Sequence, residues 1–145
     1  MRNLPYLYIL LLILIGCKEN SSNNNVNNQQ DIDHAEIVQL ILNAPILQQW
    51  LHGEVPERLP LKILKSSFIN DSLTVYKFGY TVRIVDSTTI AREEIKDAII
   101  LKINRLEKDT LNFSIYHQIE GAHVWGRVIP SKQGWMLEVV GAGEE

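Results

Sequence analysis

The second half of the chain carries the period-two pattern of a β-sheet. Residues 111–116 alternate strictly between apolar and polar side chains, starting with Leu111 and Asn112. A strand with one buried face has this period, because successive side chains point to opposite sides. Residues 124–129 and 135–140 are further strand candidates, separated by turn residues. The pattern therefore predicts antiparallel hairpins at the end of the chain.

The middle of the chain predicts further strands around Asn70-Asp71, over residues 61–68 and 73–85. The alternation in the second of these predicts a half-buried strand with one inward face. That face would carry Tyr76, Phe78, Tyr80, Val82 and Ile84. Residues 90–106 fit either a helix or a strand, and we interpret them as a short helix or loop to about residue 97 and a strand afterwards.

The segment before these strands has helical spacing. Apolar residues recur three or four apart over residues 37–51, behind an aspartate cap at Asp31 or Asp33. Gly53 can end the helix, and Pro45 predicts a kink inside it. One N-terminal helix packed on a curved antiparallel sheet gives an α+β fold. Residues 31–145 are predicted to form a single domain. In element order and closing hairpins it resembles the cystatin-like and NTF2-like folds, in which a curved sheet wraps a helix.

Residues 1–16 have the pattern of an export signal. Arg2 precedes an apolar run over residues 7–15, and these are the charged and apolar regions of such a signal. The run is too short to span a bilayer, because crossing roughly 30 Å takes about 20 apolar residues. The last two residues of this run and the next two, Leu14, Ile15, Gly16 and Cys17, resemble the lipobox of bacterial lipoproteins.

The lipobox resemblance implies cleavage before Cys17 and attachment of diacylglycerol to its thiol. Residues 17–30 then form an asparagine-rich tether with almost nothing to bury. Lys18 stands where an aspartate would signal retention in the inner membrane, which favours the outer membrane. Exposure to the periplasm and exposure at the cell surface both remain open. A soluble secreted protein, with Cys17 inside an ordinary signal peptide, is the alternative.

Charge and cysteine content exclude several classes of partner and cofactor. The 145 residues include 14 Lys and Arg against 17 Asp and Glu, for a net charge of −3, so no positive field gathers nucleic acid. A single cysteine excludes an internal disulfide and every site that needs several cysteines. His117, Glu120 and His123 are zinc-ligand types, but the predicted hairpin puts the two histidines on opposite sides of the sheet. We expect solvent-facing hairpin residues there, with no metal and no cofactor.

Catalytic motifs are absent from the sequence. It contains no Gly-x-Ser-x-Gly elbow and no phosphate-binding glycine loop. Enzymes of the NTF2-like fold use a buried Asp or His beside a Tyr to move protons. The candidates for such roles here are Tyr76, Tyr80, Tyr116, His117 and Asp86. Strand tyrosines more often pack than catalyse, and we expect no catalytic residue.

Trp125 is the strongest candidate for partner binding. His123 and Arg127 share its parity along the strand, so the three side chains would form one patch. We expect Trp50 and Trp135 in the core. The sequence thus predicts a lipid-anchored envelope protein that acts as a non-catalytic binding or structural module, with a protein, a glycan or a small apolar molecule as partner. The alternatives are an inhibitor or immunity-type lipoprotein and an NTF2-like enzyme with a small apolar substrate.

Overall fold

The structure is a computed structural model that describes residues 32–107 and 109–144. The predicted signal peptide, lipobox and tether, with Cys17, lie outside these residues. The described part is an α+β fold with a mostly antiparallel, curved sheet and a few short helices. None of the helices within it has the length and apolar character needed to cross a membrane.

The elements follow one another in mixed order. The helical segments are α1 (His34–Leu42), a 3-10 turn (Pro45–Leu47), α2 (Gln48–Leu51), a 3-10 turn (Pro56–Arg58), α3 (Ser87–Arg92) and a 3-10 turn (Gln118–Glu120). The strands are β1 (Lys62–Leu64), β2 (Tyr76–Lys77), β3 (Tyr80–Thr81), β4 (Arg83–Val85), β5 (Ile99–Glu107), β6 (Thr110–His117), β7 (Ala122–Ser131) and β8 (Gly134–Glu144).

Helix α1 begins where the sequence offers an aspartate cap. The Asp33 carboxylate accepts hydrogen bonds from the backbone N–H groups of Ala35 and Glu36. At the other end of the helical region the expectation for Gly53 is wrong. His52 takes the left-handed conformation that ends α2, with φ of 46°. Gly53 instead lies under a neighbouring aromatic ring, where a side chain would collide with it.

Strand direction differs from the prediction in the first half of the sheet. The six-stranded sheet has the order β4-β1-β5-β6-β7-β8, and β1 runs parallel to both β4 and β5. Parallel neighbours need long crossover connections. One crossover connection is the segment between β1 and β4. The other includes α3 and leads from β4 to β5. A period of two reveals a strand but not its direction, so only the β5–β8 part is the expected antiparallel meander.

The predicted long strand over residues 73–85 is also wrong. This segment forms the small β2–β3 hairpin and the separate strand β4. Phe78 and Gly79 are its two-residue turn, both with positive φ, and such turns match the twist of a hairpin. Tyr76 and Tyr80 are therefore exposed instead of inward-facing.

Lys77 is the buried residue of that hairpin. Its Nζ donates a 2.8 Å hydrogen bond to the carbonyl of Leu42 at the C-terminus of α1, where carbonyl groups lack partners within the helix. The ammonium also lies 5.0 Å from the centre of the Phe78 ring. Burial lowers the pKa of Lys77. The lysine thus joins the hairpin to the helix.

The meander follows the predicted alternation. The change from helix α3 to strand β5 near residue 97 is confirmed. Along β6 the odd positions are buried and the even positions are half-buried. Its Leu111, Phe113 and Ile115 pack in one core with residues of α1, of the 3-10 turn after it and of α2, among them Ile37, Ile41, Leu42, Leu47, Trp50 and Leu51. We call the opposite side of β5–β8 the outer face.

Candidate functional site

The outer face of the meander brings the predicted patch residues together. In the sheet register His123 is opposite Tyr116, Trp125 opposite Ser114 and Arg127 opposite Asn112. Directly opposed residues share one face of a sheet. Trp125, His123 and Arg127 therefore lie on the same side, away from the core, as their parity indicates.

Trp125 is held in place by a glycine on the neighbouring strand. Its register partner on β8 is Gly141, and a Cβ on Gly141 would come within 2.7 Å of the indole Cε2. The indole therefore covers the backbone of β8 and remains 40% exposed. The indole therefore has one face packed on the protein, and its other face is accessible to solvent. This seat on Gly141 was not foreseen from the sequence, because it depends on the pairing of β7 with β8.

Two further rings continue from the indole along the sheet. The His123 ring lies 5.1 Å from Trp125 at an interplanar angle of 40°. The Tyr116 ring lies 6.5 Å from His123, nearly edge-on at 80°. Ring pairs at these separations contribute about 0.5–1.5 kcal/mol beyond their buried area. The three rings form a row along the outer face.

A shallow open cleft of about 270 Å³ adjoins the indole. Trp125 and Val140 give it apolar walls, and Asn112 and Arg127 give it polar ones. Its remaining lining residues include Gly126, whose missing side chain leaves room for the Phe113 ring. In the part of the chain that the structure describes, no carboxylate oxygen lies within 4.0 Å of the Arg127 guanidinium. Glu138 is its cross-strand neighbour on β8.

His117 corrects the expectation of a solvent-facing hairpin. Only 2% of it is exposed, because β6 pairs His117 with Ala122 and so points the imidazole into the core. Its Nδ1 lies 3.1 Å from the carbonyl oxygen of Trp50. Within the described residues its Nε2 has no hydrogen-bond partner. Burial lowers the pKa of His117, against the opposing effect of the Trp50 carbonyl.

The turn after His117 differs from the predicted two-residue turn, although the predicted separation of the histidines is confirmed. Gln118–Glu120 form a 3-10 turn that ends at Gly121, which has a φ of 62°. The resulting register pairs His123 with Tyr116, so His117 and His123 point to opposite sides of the sheet. Across residues 32–107 and 109–144, no three His, Cys, Asp or Glu side chains form a metal-binding group.

A network of charged side chains surrounds Glu120, in the turn between β6 and β7. The sequence did not indicate this network. Glu120 forms an ion pair with Arg58, and its other oxygen lies 3.4 Å from Nε2 of His52. Nδ1 of His52 lies 2.7 Å from Glu54. The Arg58 hydrogen bond lowers the pKa of Glu120. Nearby, Lys62 and Asp97 form a largely buried pair at 2.8 Å.

The candidate catalytic residues do not come together. Tyr76 and Tyr80 are exposed on the small hairpin, and Tyr116 lies on the face opposite His117. Asp86 caps helix α3 by accepting a hydrogen bond of 2.6 Å from the backbone N–H of Thr89. That bond lowers the pKa of Asp86. The described residues therefore do not place a tyrosine beside a buried acid or histidine.

Comparison with known proteins adds no relative. No family model matches the chain, and neither the curated proteins nor the solved structures contain a significant match.

Proposed function

We propose that this chain is a lipid-anchored envelope protein that binds a glycan on the outer face of its meander, without catalysing a reaction. The observation that carries the proposal is the row of rings ending in Trp125, which is held on Gly141 and faces a cleft with Arg127 and Asn112. A preformed aromatic platform needs little ordering when a ligand binds.

The chemistry of the cleft favours a sugar carrying a carboxylate. The C–H face of a pyranose ring is apolar and packs on an indole, while Asn112 supplies amide donors and acceptors for hydroxyl groups. Arg127 provides a planar pair of donors for a carboxylate. A volume of about 270 Å³ lies just below the range of about 300–1,000 Å³ for enclosed ligand sites. An open cleft of that size accommodates one or two rings at the surface.

The anchoring part of the proposal rests on the lipobox. Acyl chains on Cys17 would hold the domain at the membrane, because each buried methylene contributes about 0.8 kcal/mol. We further propose that α1 against the curved sheet represents a cystatin-like or NTF2-like arrangement. The outer membrane is the proposed location, since residue 18 is Lys.

Binding is tested by applying the chain to an array of acidic and neutral oligosaccharides. We expect selective retention by carboxylate-bearing sugars, loss of binding in Trp125→Ala, and loss of the preference for acidic sugars in Arg127→Met. Tyr80→Ala is the matched control, because Tyr80 is 51% exposed but lies on the β2–β3 hairpin. Binding that survives Trp125→Ala, or that fails equally in Tyr80→Ala, contradicts the proposed site.

Anchoring is tested separately with Cys17→Ser in the native cell. The variant should leave the membrane fraction and lose labelling by a fatty-acid probe, whereas the parent chain keeps both. A variant that still sediments with membranes shows that the anchor assignment is wrong. The binding experiment remains valid in that case.

A further inference from the structure

The cleft beside the indole occupies only part of the outer face. Its lining residues belong to β6, β7 and β8, and strand β5 provides the next outer positions. Lys102 on β5 is opposite Ser114 in the sheet register. Asn104 is opposite Asn112 in the same way. Both β5 side chains are exposed, and neither lines the cleft. The outer face therefore extends beyond the cleft by one strand.

Small polar side chains lie between the cleft and Lys102. Ser114 on β6 has Trp125 as its partner on one side and Lys102 on the other. Asn112 is the neighbouring outer residue of β6 and lines the cleft. Both side chains are half-buried, and their hydroxyl and amide groups can donate and accept hydrogen bonds with sugar hydroxyls. We call Ser114 and Asn112 the polar strip.

The row of rings borders the polar strip on one side. Tyr116 is the next outer residue after Ser114 on β6, and His123 is its cross-strand partner on β7. A ligand that extends from the cleft therefore meets aromatic rings on that side. In the direction of β5 it meets the low polar surface of the strip. The open path for a long ligand thus crosses the strands.

Positive charge is present at both ends of this path. Arg127 lies at the cleft and Lys102 on β5, although the chain as a whole has a net charge of −3. Among the outer side chains of β5–β8 that the structure describes, Glu138 is the acidic one, and it lies on edge strand β8. A ligand with one carboxylate at the cleft and another at β5 would complement both cations.

We propose that the ligand is a linear acidic polysaccharide that crosses the strands from β8 to β5, with a second carboxylate bound by Lys102. This inference rests on the glycan site proposed above and adds the length and direction of the ligand. One sugar packs on Trp125 with its carboxylate at Arg127, and the chain then passes over the polar strip. The Cα atom of Lys102 lies two strand spacings from that of Trp125, about 10 Å. Once the first sugar is bound, the glycosidic linkage holds the second carboxylate near the lysine at a high effective concentration.

Oligomers of galacturonic acid test this inference by titration calorimetry of the full chain in a mild detergent. Every ring of these oligomers carries a carboxylate, so one lies near Lys102 whichever ring is placed there. Lys102→Met should bind the hexamer about threefold to fivefold more weakly than the parent chain, which is the effect of one exposed charge pair. Both chains should bind the monomer equally, because it occupies only the cleft. Lys102→Arg should keep the affinity of the parent chain for both ligands.

Lys132→Met is the matched control. Lys132 is exposed in the turn between β7 and β8, so this variant removes the same charge away from the path. The inference is wrong if the hexamer does not bind, if Lys102→Met binds it like the parent chain, or if Lys132→Met weakens it equally. An equal loss for monomer and hexamer in Lys102→Met also overturns it, since the lysine would then act at the cleft. Binding of both ligands that survives Trp125→Ala refutes the proposed function itself.

Discussion

The substitution Gly141→Ala tests whether the Trp125 indole packs on the backbone of Gly141. It changes no residue that would touch a ligand. A new Cβ would stand within 2.7 Å of the indole Cε2, so the ring must lift from the strand. A tryptophan that is 40% exposed buries on the order of 150 Å². At about 25 cal/mol per Å², complete loss of that contact costs about 4 kcal/mol, and loss of half costs about 2 kcal/mol. We expect a destabilisation of about 2 kcal/mol together with loss of glycan binding.

Gly143→Ala is the matched control for this prediction. Gly143 lies on the same strand, and a Cβ there would meet no atom within 4 Å. Replacing glycine where the backbone tolerates alanine stabilises by about 0.4–1 kcal/mol. Urea unfolding followed by circular dichroism measures both changes, and acrylamide quenching reports the exposure of the indole. Equal unfolding midpoints for the two variants would refute the proposed seat.

Three further changes probe the core and the sheet. Burial lowers the pKa of His117, so the unfolded chain takes up this proton first as the pH falls. Stability should therefore decline below about pH 6.5, by up to about 1.4 kcal/mol per pH unit, and urea titrations of His117→Leu should lack this component. Gly53→Ala collides with Phe78 and should cost about 1–3 kcal/mol in the same assay. Val140 is the unpaired bulge residue of β8, so deleting it should leave the circular dichroism spectrum unchanged. Ser114 is paired on both sides. Deleting Ser114 should abolish folding, because the deletion moves the buried side chains of the rest of β6 to the opposite face.

Local pattern determined the parts of the fold that could be predicted. The alternation in β6 fixes which side chains are buried, and the aspartate before α1 marks its first turn. The prediction of one long strand over residues 73–85 was wrong because a Phe-Gly pair rarely forms a two-residue turn by local preference. Phe78 adopts positive φ here while its ring packs against Gly53. That contact joins residues distant in sequence, so no local pattern reports it.

The candidate site shows the same division between local and distant information. Parity correctly grouped Trp125 with His123 and Arg127, since a strand fixes which residues share a face. Burial of His117 was missed because the hairpin was taken as two solvated strands, whereas residues of α2 cover its core side. The carbonyl of Trp50 reaches the imidazole across 67 positions of sequence. A hydrogen-bond partner so distant in sequence cannot be predicted from local pattern, because the contact forms only when α2 packs on the sheet.

The C-terminal half of β8 explains why an apparently weak strand has a defined role. Gly, Ala and Gly at 141–143 have little side chain to pack, and glycine weakens a strand interior. On the outer face, however, the absence of a side chain at Gly141 allows the indole of Trp125 to pack against β8. A side chain at residue 141 would obstruct the indole, so the glycine there is required by the packing of Trp125.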